Sequence, residues 1–320
     1  MVTRTNTMPD TRSRDSGAPI ITHIDTDPGL DDALALLFAW NSPELTVVSV
    51  TTVAGNVGVE AATTNLLRLL AARSPKPLPA FGMGAGAPLA RAPVDATDYH
   101  GTDGLGDLSD WPPVDIGRVR RDGVGLLLET ARRHGRALTL IALGPLTNLA
   151  LALEADRAAI TGVGRLVVMG GAVDVSGNVT TGAEFNIHVD PEAARRIFSS
   201  GLTVDLVPLD ATRRAALTRS RLARALAGTA DALAARVGRF TARGFTVDAT
   251  TAAPSMFLHD PLAVGVAFGD FVHWEPACIG VGDGGETRRV PGPSNCRIAH
   301  LAEPEAFIDA FLSRLCAASS

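Results

Sequence analysis

Cysteine is scarce in this chain. Cys278, Cys296 and Cys316 are the only three in 320 residues, and they lie far apart with no CxxC pair. That spacing builds no disulfide framework and suits a reducing cytosol, the compartment expected here. Long apolar runs are also missing. No stretch of about 18 apolar residues exists, so no membrane-spanning helix is expected. Excess positive charge is absent too: 29 basic residues face 34 acidic ones, for a net charge of -5. That balance leaves no electrostatic footprint for nucleic acid or an anionic membrane. The first 18 residues hold arginines but no apolar core, so a disordered tail is expected there rather than a signal peptide.

What the chain does have is apolar content, 46% of its residues. A large buried core is therefore feasible, and one α/β domain over 19–320 is expected. Strand patterns alternate with helix patterns. Ile20 to Asp25 and Leu45 to Val53 read as strands, followed by helices reaching about Trp40 and Arg73. Further strands are expected near Leu78 to Phe81, Leu138 to Leu143, Leu166 to Met169 and Thr203 to Pro208. Residues 82–121 and 170–190 read as two long loops, and 213–257 as mainly helical with a loop near Gly244. Alternation with short connections predicts a mostly parallel, doubly wound sheet covered on both faces.

The densest chemistry lies in IDTDPGLDDALAL, residues 24–36. Asp25, Asp27, Asp31 and Asp32 crowd the exit of a strand and the entry of a helix. Asp31 or Asp32 can cap that helix, but four carboxylates exceed what capping needs. So much buried negative charge calls for a hard cation with oxygen ligands. An EF-hand does not fit, since Leu36 stands where a twelfth-position glutamate is required. Asp25-Thr26-Asp27 at a strand end leaves a phosphatase-like DxD as a rival. Elsewhere, Asn56 closes the second strand, while Asn178, Glu184 and Asn186 fall in the second loop. Glu184 and Asn186 would share one side of an extended segment. His259-Asp260 opens a helix, and His100 sits in the first loop.

IDTDPGLDDALAL resembles the N-terminal signature of the inosine-uridine-preferring nucleoside hydrolase family. TTVAGN (51–56), ALGPLTNLA (142–150), VVMGGAV (167–173), GNVTTGAEFNIHVDPEAA (177–194), VPLDAT (207–212) and HDPLAV (259–264) resemble its later blocks, in order. The resemblance implies a calcium-dependent ribonucleoside hydrolase that forms homodimers or homotetramers. It implies Ca2+ held by Asp27, Asp32, the Leu143 carbonyl and Asp260, with Asp27 as general base towards a calcium-bound water. Asp31, Asn56 and Asn186 would hold the ribose 2′- and 3′-hydroxyls, and Asn178 and Glu184 the 5′-hydroxyl. Asp25 would support the cage, and His259 and His100 would serve the leaving base. Two departures stand out. Residues 243–260 hold no tyrosine or tryptophan to stack on a base, and Arg213 replaces a histidine that many members carry after VPLDAT. A ribose or nucleoside binder without turnover is the non-enzymatic alternative.

Overall fold

The computed structural model describes residues 17–227, 232–247 and 253–315. Most of the expected tail, Cys316 and residues 248–252 of the stretch before His259 lie outside the described residues. Within those described, the strands in chain order are β1 (Ile20–Thr26), β2 (Leu45–Thr52), β3 (Ala80–Met83), β4 (Leu138–Ala142), β5 (Arg165–Met169) and β6 (Val204–Val207). They continue with β7 (Ala216–Thr218), β8 (Ser255–Phe257), β9 (Val272–Ala277), β10 (Ile279–Val281), β11 (Thr287–Arg289) and β12 (Cys296–Leu301).

Eight strands form one sheet, ordered β3-β2-β1-β4-β5-β6-β12-β9. All its pairings are parallel except β12 with β9. The doubly wound α/β architecture expected from the alternation is therefore present. Chain order runs outward from β1 through β2 to β3 on one side, and through β4 and β5 to β6 on the other. Such a reversal opens a crevice beyond the carboxyl ends of the two central strands, β1 and β4. The backbone N–H of Leu143, one residue past β4, donates to the Asp25 carbonyl at 2.8 Å, which fixes the two strand ends side by side.

Helix Leu30–Trp40 leaves β1 through the Pro28-Gly29 turn and is buried along all but its last residue. Its sequence is apolar nearly all round apart from Asp31 and Asp32, as a core helix should be. It packs against helix His259–Gly265. The Phe38 ring lies 5.5 Å from that of Phe268 and 5.3 Å from that of Phe311. Each such buried ring or leucine contributes about 1.5–3 kcal/mol. This packing holds the helix start, with its two carboxylates, rigidly under the crevice.

Several expectations needed local correction. The third strand runs from Ala80 to Met83, slightly later than expected. The first long loop contains the short helix Thr97–His100 and the single turn Ile116–Arg118. The second contains helix Phe185–Val189, so Glu184 and Asn186 do not alternate on an extended segment. The described part of 213–257 is mainly helical as expected, with β7 and β8 pairing antiparallel at the ends of the stretch. Gly244 lies within helix Ala242–Val247 rather than in a loop. These elements are three to six residues long, too short for periodicity to declare them.

Candidate active site

Asp25, the penultimate residue of β1, is fully buried. Its Oδ1 accepts from the Thr51 hydroxyl and from the Asn148 amide at 2.8 Å. Burial pushes its pKa up to about 7, against the pull of those two donors. Asp27 is equally buried. Its Oδ2 accepts the Asn56 backbone N–H at 2.7 Å, while Oδ1 has no hydrogen-bond partner among the described residues. Burial, then the charge of Asp32, raises its pKa well above the usual carboxylate range.

Asp32 performs the capping. Gly29 is the N-cap, and Asp32 reaches back to accept its N–H at 3.0 Å. It also accepts from the Thr26 hydroxyl at 2.5 Å and the Asn56 amide at 2.9 Å. Asp260, in the first turn of helix His259–Gly265, is buried opposite. Its pKa is raised by burial and by the charges of Asp31, Asp32 and Asp27. One oxygen from each of Asp31, Asp32 and Asp260 lies within 4.8 Å of the others. The buried acidic trio that converges there thus includes Asp31, assigned above to ribose, and not Asp27.

This donor set fits a hard divalent cation. The ligands are oxygens, the carboxylates repel one another, and Asp27 keeps an unpartnered buried oxygen beside them. The Leu143 carbonyl already accepts the Asn186 amide at 2.5 Å, leaving it one further lone pair.

Above the cluster lies a cavity of about 850 Å³. Asp31, Asn56, His100, Leu143, Asn178, Glu184, Asn186, His259 and Asp260 all line it, whereas Asp25, Asp27 and Asp32 do not. Glu184 is the N-cap of helix Phe185–Val189 and accepts backbone N–H groups from Gly171, Asn186 and Ile187 at 2.8, 3.0 and 3.3 Å. Burial raises its pKa against those donors. Asn178 Oδ1 accepts the Phe185 N–H at 2.9 Å.

The sequence profile of the inosine-uridine preferring nucleoside hydrolases matches residues 22–309, nearly the whole described chain. The chain belongs to that family. An uncharacterised protein of Schizosaccharomyces pombe is 39% identical over 75% of this chain and 77% of its own length. The non-specific ribonucleoside hydrolase RihC of Escherichia coli is 42% identical over 62% of this chain, but the match spans only 64% of that relative. Among solved structures, a purine-preferring ribonucleoside hydrolase from Gardnerella vaginalis superposes with a TM-score of 0.85 at 27% identity, covering 92% of this chain and 98% of the other.

In this nucleoside hydrolase fold both cavity histidines are held neutral. The His100 Nδ1 accepts the Leu30 N–H at 2.9 Å, so the ring carries its proton on Nε2. Burial lowers its pKa to about 4. His259 Nδ1 shares a hydrogen bond of 2.7 Å with the Thr212 hydroxyl, and burial, then the charge of Arg213, lowers its pKa to about 3. Tyr99, Phe185 and Phe257 supply the aromatic lining that residues 243–260 lacked as tyrosine or tryptophan.

Sequence reasoning missed four residues inside the family blocks. Asn148 donates to Asp25 and accepts the Ala85 N–H at 2.8 Å, linking β1 to the loop after β3. Thr51 donates to Asp25 from the neighbouring strand. Gly55 and Gly144 press on Asp27: a Cβ at Gly55 would stand 2.1 Å from Oδ2, and one at Gly144 would stand 2.4 Å from Oδ1. Their signal was visible as TTVAGN and ALGPLTN, but only three-dimensional contact reveals the role.

Proposed function

We propose that this chain hydrolyses the N-glycosidic bond of ribonucleosides, releasing free base and ribose, with Ca2+ in the acidic cluster. The observation that carries the reading is the unpartnered Oδ1 of buried Asp27 beside Asp31, Asp32 and Asp260, under a cavity edged by amides. Asp27, Asp32, Asp260 and the Leu143 carbonyl would hold the ion, and Asp31 is close enough to join them. When bound, the ion supplies Lewis acidity that eases deprotonation of water at neutral pH.

The protein groups carry the rest. Asp27 takes the proton of the attacking water, its Oδ1 being free of other donors. Asn56 and Asn186 spend their amide N–H groups on neighbouring oxygens, which leaves their carbonyl oxygens for ribose hydroxyls. With Asp31 they fix the sugar at the 2′ and 3′ positions. Asn178 and Glu184 fix the 5′-hydroxyl. Held at both ends, the ribose is oriented as positive charge develops on its ring. The neutral His100 and His259 can donate N–H hydrogen bonds to the departing base.

The DxD phosphohydrolase reading is weaker, because Asp25 Oδ1 is tied to Thr51 and Asn148 and the reading leaves Asn178, Glu184 and Asn186 without a role. Base release from inosine, adenosine, uridine and cytidine, with and without a calcium chelator, tests the proposal. Saturable ribose binding with no base released from any of them would establish the binder instead.

A further inference from the structure

VPLDAT, followed by Arg213, is a family block to which the proposed chemistry assigns nothing. It forms the end of β6 and the short helix Leu209–Thr212 beyond it. Asp210 reaches across to the loop after β5, accepting the N–H of Val173 at 3.0 Å and of Asp174 at 2.8 Å. Arg213 reaches the same loop three residues on, donating to the Ser176 carbonyl at 2.6 Å and the Gly177 carbonyl at 2.9 Å. The next residue is Asn178. Arg213 lines the cavity and, with no carboxylate paired to it among the described residues, directs its side-chain hydrogen bonds to these two backbone oxygens. Between them, Thr212 holds His259. One short turn therefore references both the Asn178 wall and the His259 wall of the cavity.

We propose that Asp210 and Arg213 are positioning residues that clamp the loop 173–177 and thereby set the place of Asn178 at the 5′ end of the substrate. This rests on the hydrolase reading for what Asn178 touches. Asn178 itself is exposed; its Oδ1 accepts the Phe185 N–H and its own N–H donates to the Ala183 carbonyl at 3.1 Å, so its local bonds all lie within the turn 178–185. Anchors one and two residues before it on Arg213, and four and five before it on Asp210, tie that turn to the rest of the fold. Arginine suits this task because its fork presents two parallel donors to two successive carbonyls, which a histidine at that position cannot do.

The test joins an exchange measurement to a substrate comparison in the full chain, with cooperative thermal unfolding as the fold check. In Arg213→Met, amide exchange over Asn178–Phe185 rises by about tenfold or more, and Arg213→Lys restores part of the protection. Asp210→Asn, which keeps shape but weakens the other pair of bonds, shows the same rise over Val173 and Asp174. Unchanged exchange in both folded variants overturns the clamp. For activity, Arg213→Met loses about tenfold in kcat/KM on uridine and inosine but stays within about twofold on their 5′-deoxy forms. An equal loss on both substrate forms overturns the assignment to the 5′ end. Should the unaltered protein release no base at all, the hydrolase reading falls, and the exchange arm still decides the clamp.

Discussion

Asn56 holds Asp27 from two sides. Its backbone N–H donates to Oδ2 at 2.7 Å, and its side-chain amide donates to the Asp27 carbonyl at 3.3 Å. The same amide reaches Asp32 Oδ2 at 2.9 Å, so one residue in the loop after β2 bonds both Asp27 and Asp32. Asn56→Ala keeps the backbone donor to Asp27 Oδ2 but removes the side-chain bonds to the Asp27 carbonyl and to Asp32. Its kcat/KM for a ribonucleoside is expected to fall about 100-fold, with weaker calcium binding by calorimetry. Activity within about twofold of the unaltered chain would show that Asn56 orders neither the acids nor the sugar.

Asp260 faces Asp31, Asp32 and Asp27 across the cluster, and their mutual repulsion is relieved only by a cation or a proton. Asp260→Asn is therefore expected to raise Tm in chelator, where it removes one repelling charge. It should also abolish most of the Tm gain that calcium gives the unaltered chain, which is about 2.7 kcal/mol of stability at a hundredfold excess over Kd. Thermal unfolding in chelator and across a calcium titration measures both effects. A lower Tm in chelator together with an undiminished calcium response would remove Asp260 from the metal site.

Gly144 stands where a methyl group would meet Asp27 Oδ1 at 2.4 Å, and nothing about its backbone otherwise forbids alanine. Gly144→Ala should fold with a modest loss of Tm yet lose about 100-fold or more in kcat, because Asp27 must shift by a sizeable fraction of an ångström. Steady-state kinetics on uridine and inosine give the answer. Unchanged kcat would mean the Asp27 carboxylate need not sit where it does.

His23 supplies a pH signature from beneath the acidic cluster, one hydrogen bond removed from the Thr51 hydroxyl that serves Asp25. It is fully buried in β1, with Nδ1 on the Ser49 hydroxyl at 2.7 Å and Nε2 on the Thr51 hydroxyl at 3.0 Å. Burial lowers its pKa to about 3. The unfolded chain therefore binds a proton below about pH 6.5 that the folded chain refuses, and stability falls as pH drops from there towards 3. His100 and His259 act in the same direction. His23→Gln should flatten part of the acid limb of Tm against pH between about 6 and 4, with little change at pH 7.5. An acid limb of unchanged slope would contradict burial of the neutral ring.

The layout of the sheet was legible because its strands are long enough to show β-branched runs and its helices long enough to show breaks at Pro43 and Pro75. Helix Phe185–Val189 and the β7–β8 pair were not legible, since a few residues cannot establish a period and tertiary contacts decide them. Glu184 illustrates the cost. On an extended segment it would share one side with Asn186, but as an N-cap it accepts three backbone N–H groups.

The aspartates of residues 25–32 show where sequence ends. Four carboxylates at a strand exit already called for a compensating cation or proton, because charge of one sign is costly to bury, and the family blocks pointed to a nucleoside hydrolase fold. Which oxygens converge was decided by the tertiary structure. The reversal between β1 and β4, the packing of helix Leu30–Trp40 on helix His259–Gly265, and the approach of Gly55 and Gly144 place Asp260 against Asp31 and Asp32 and strip Asp27 Oδ1 of partners. The same burial keeps the histidines neutral, for desolvation is a property of the packed surroundings and not of the residue.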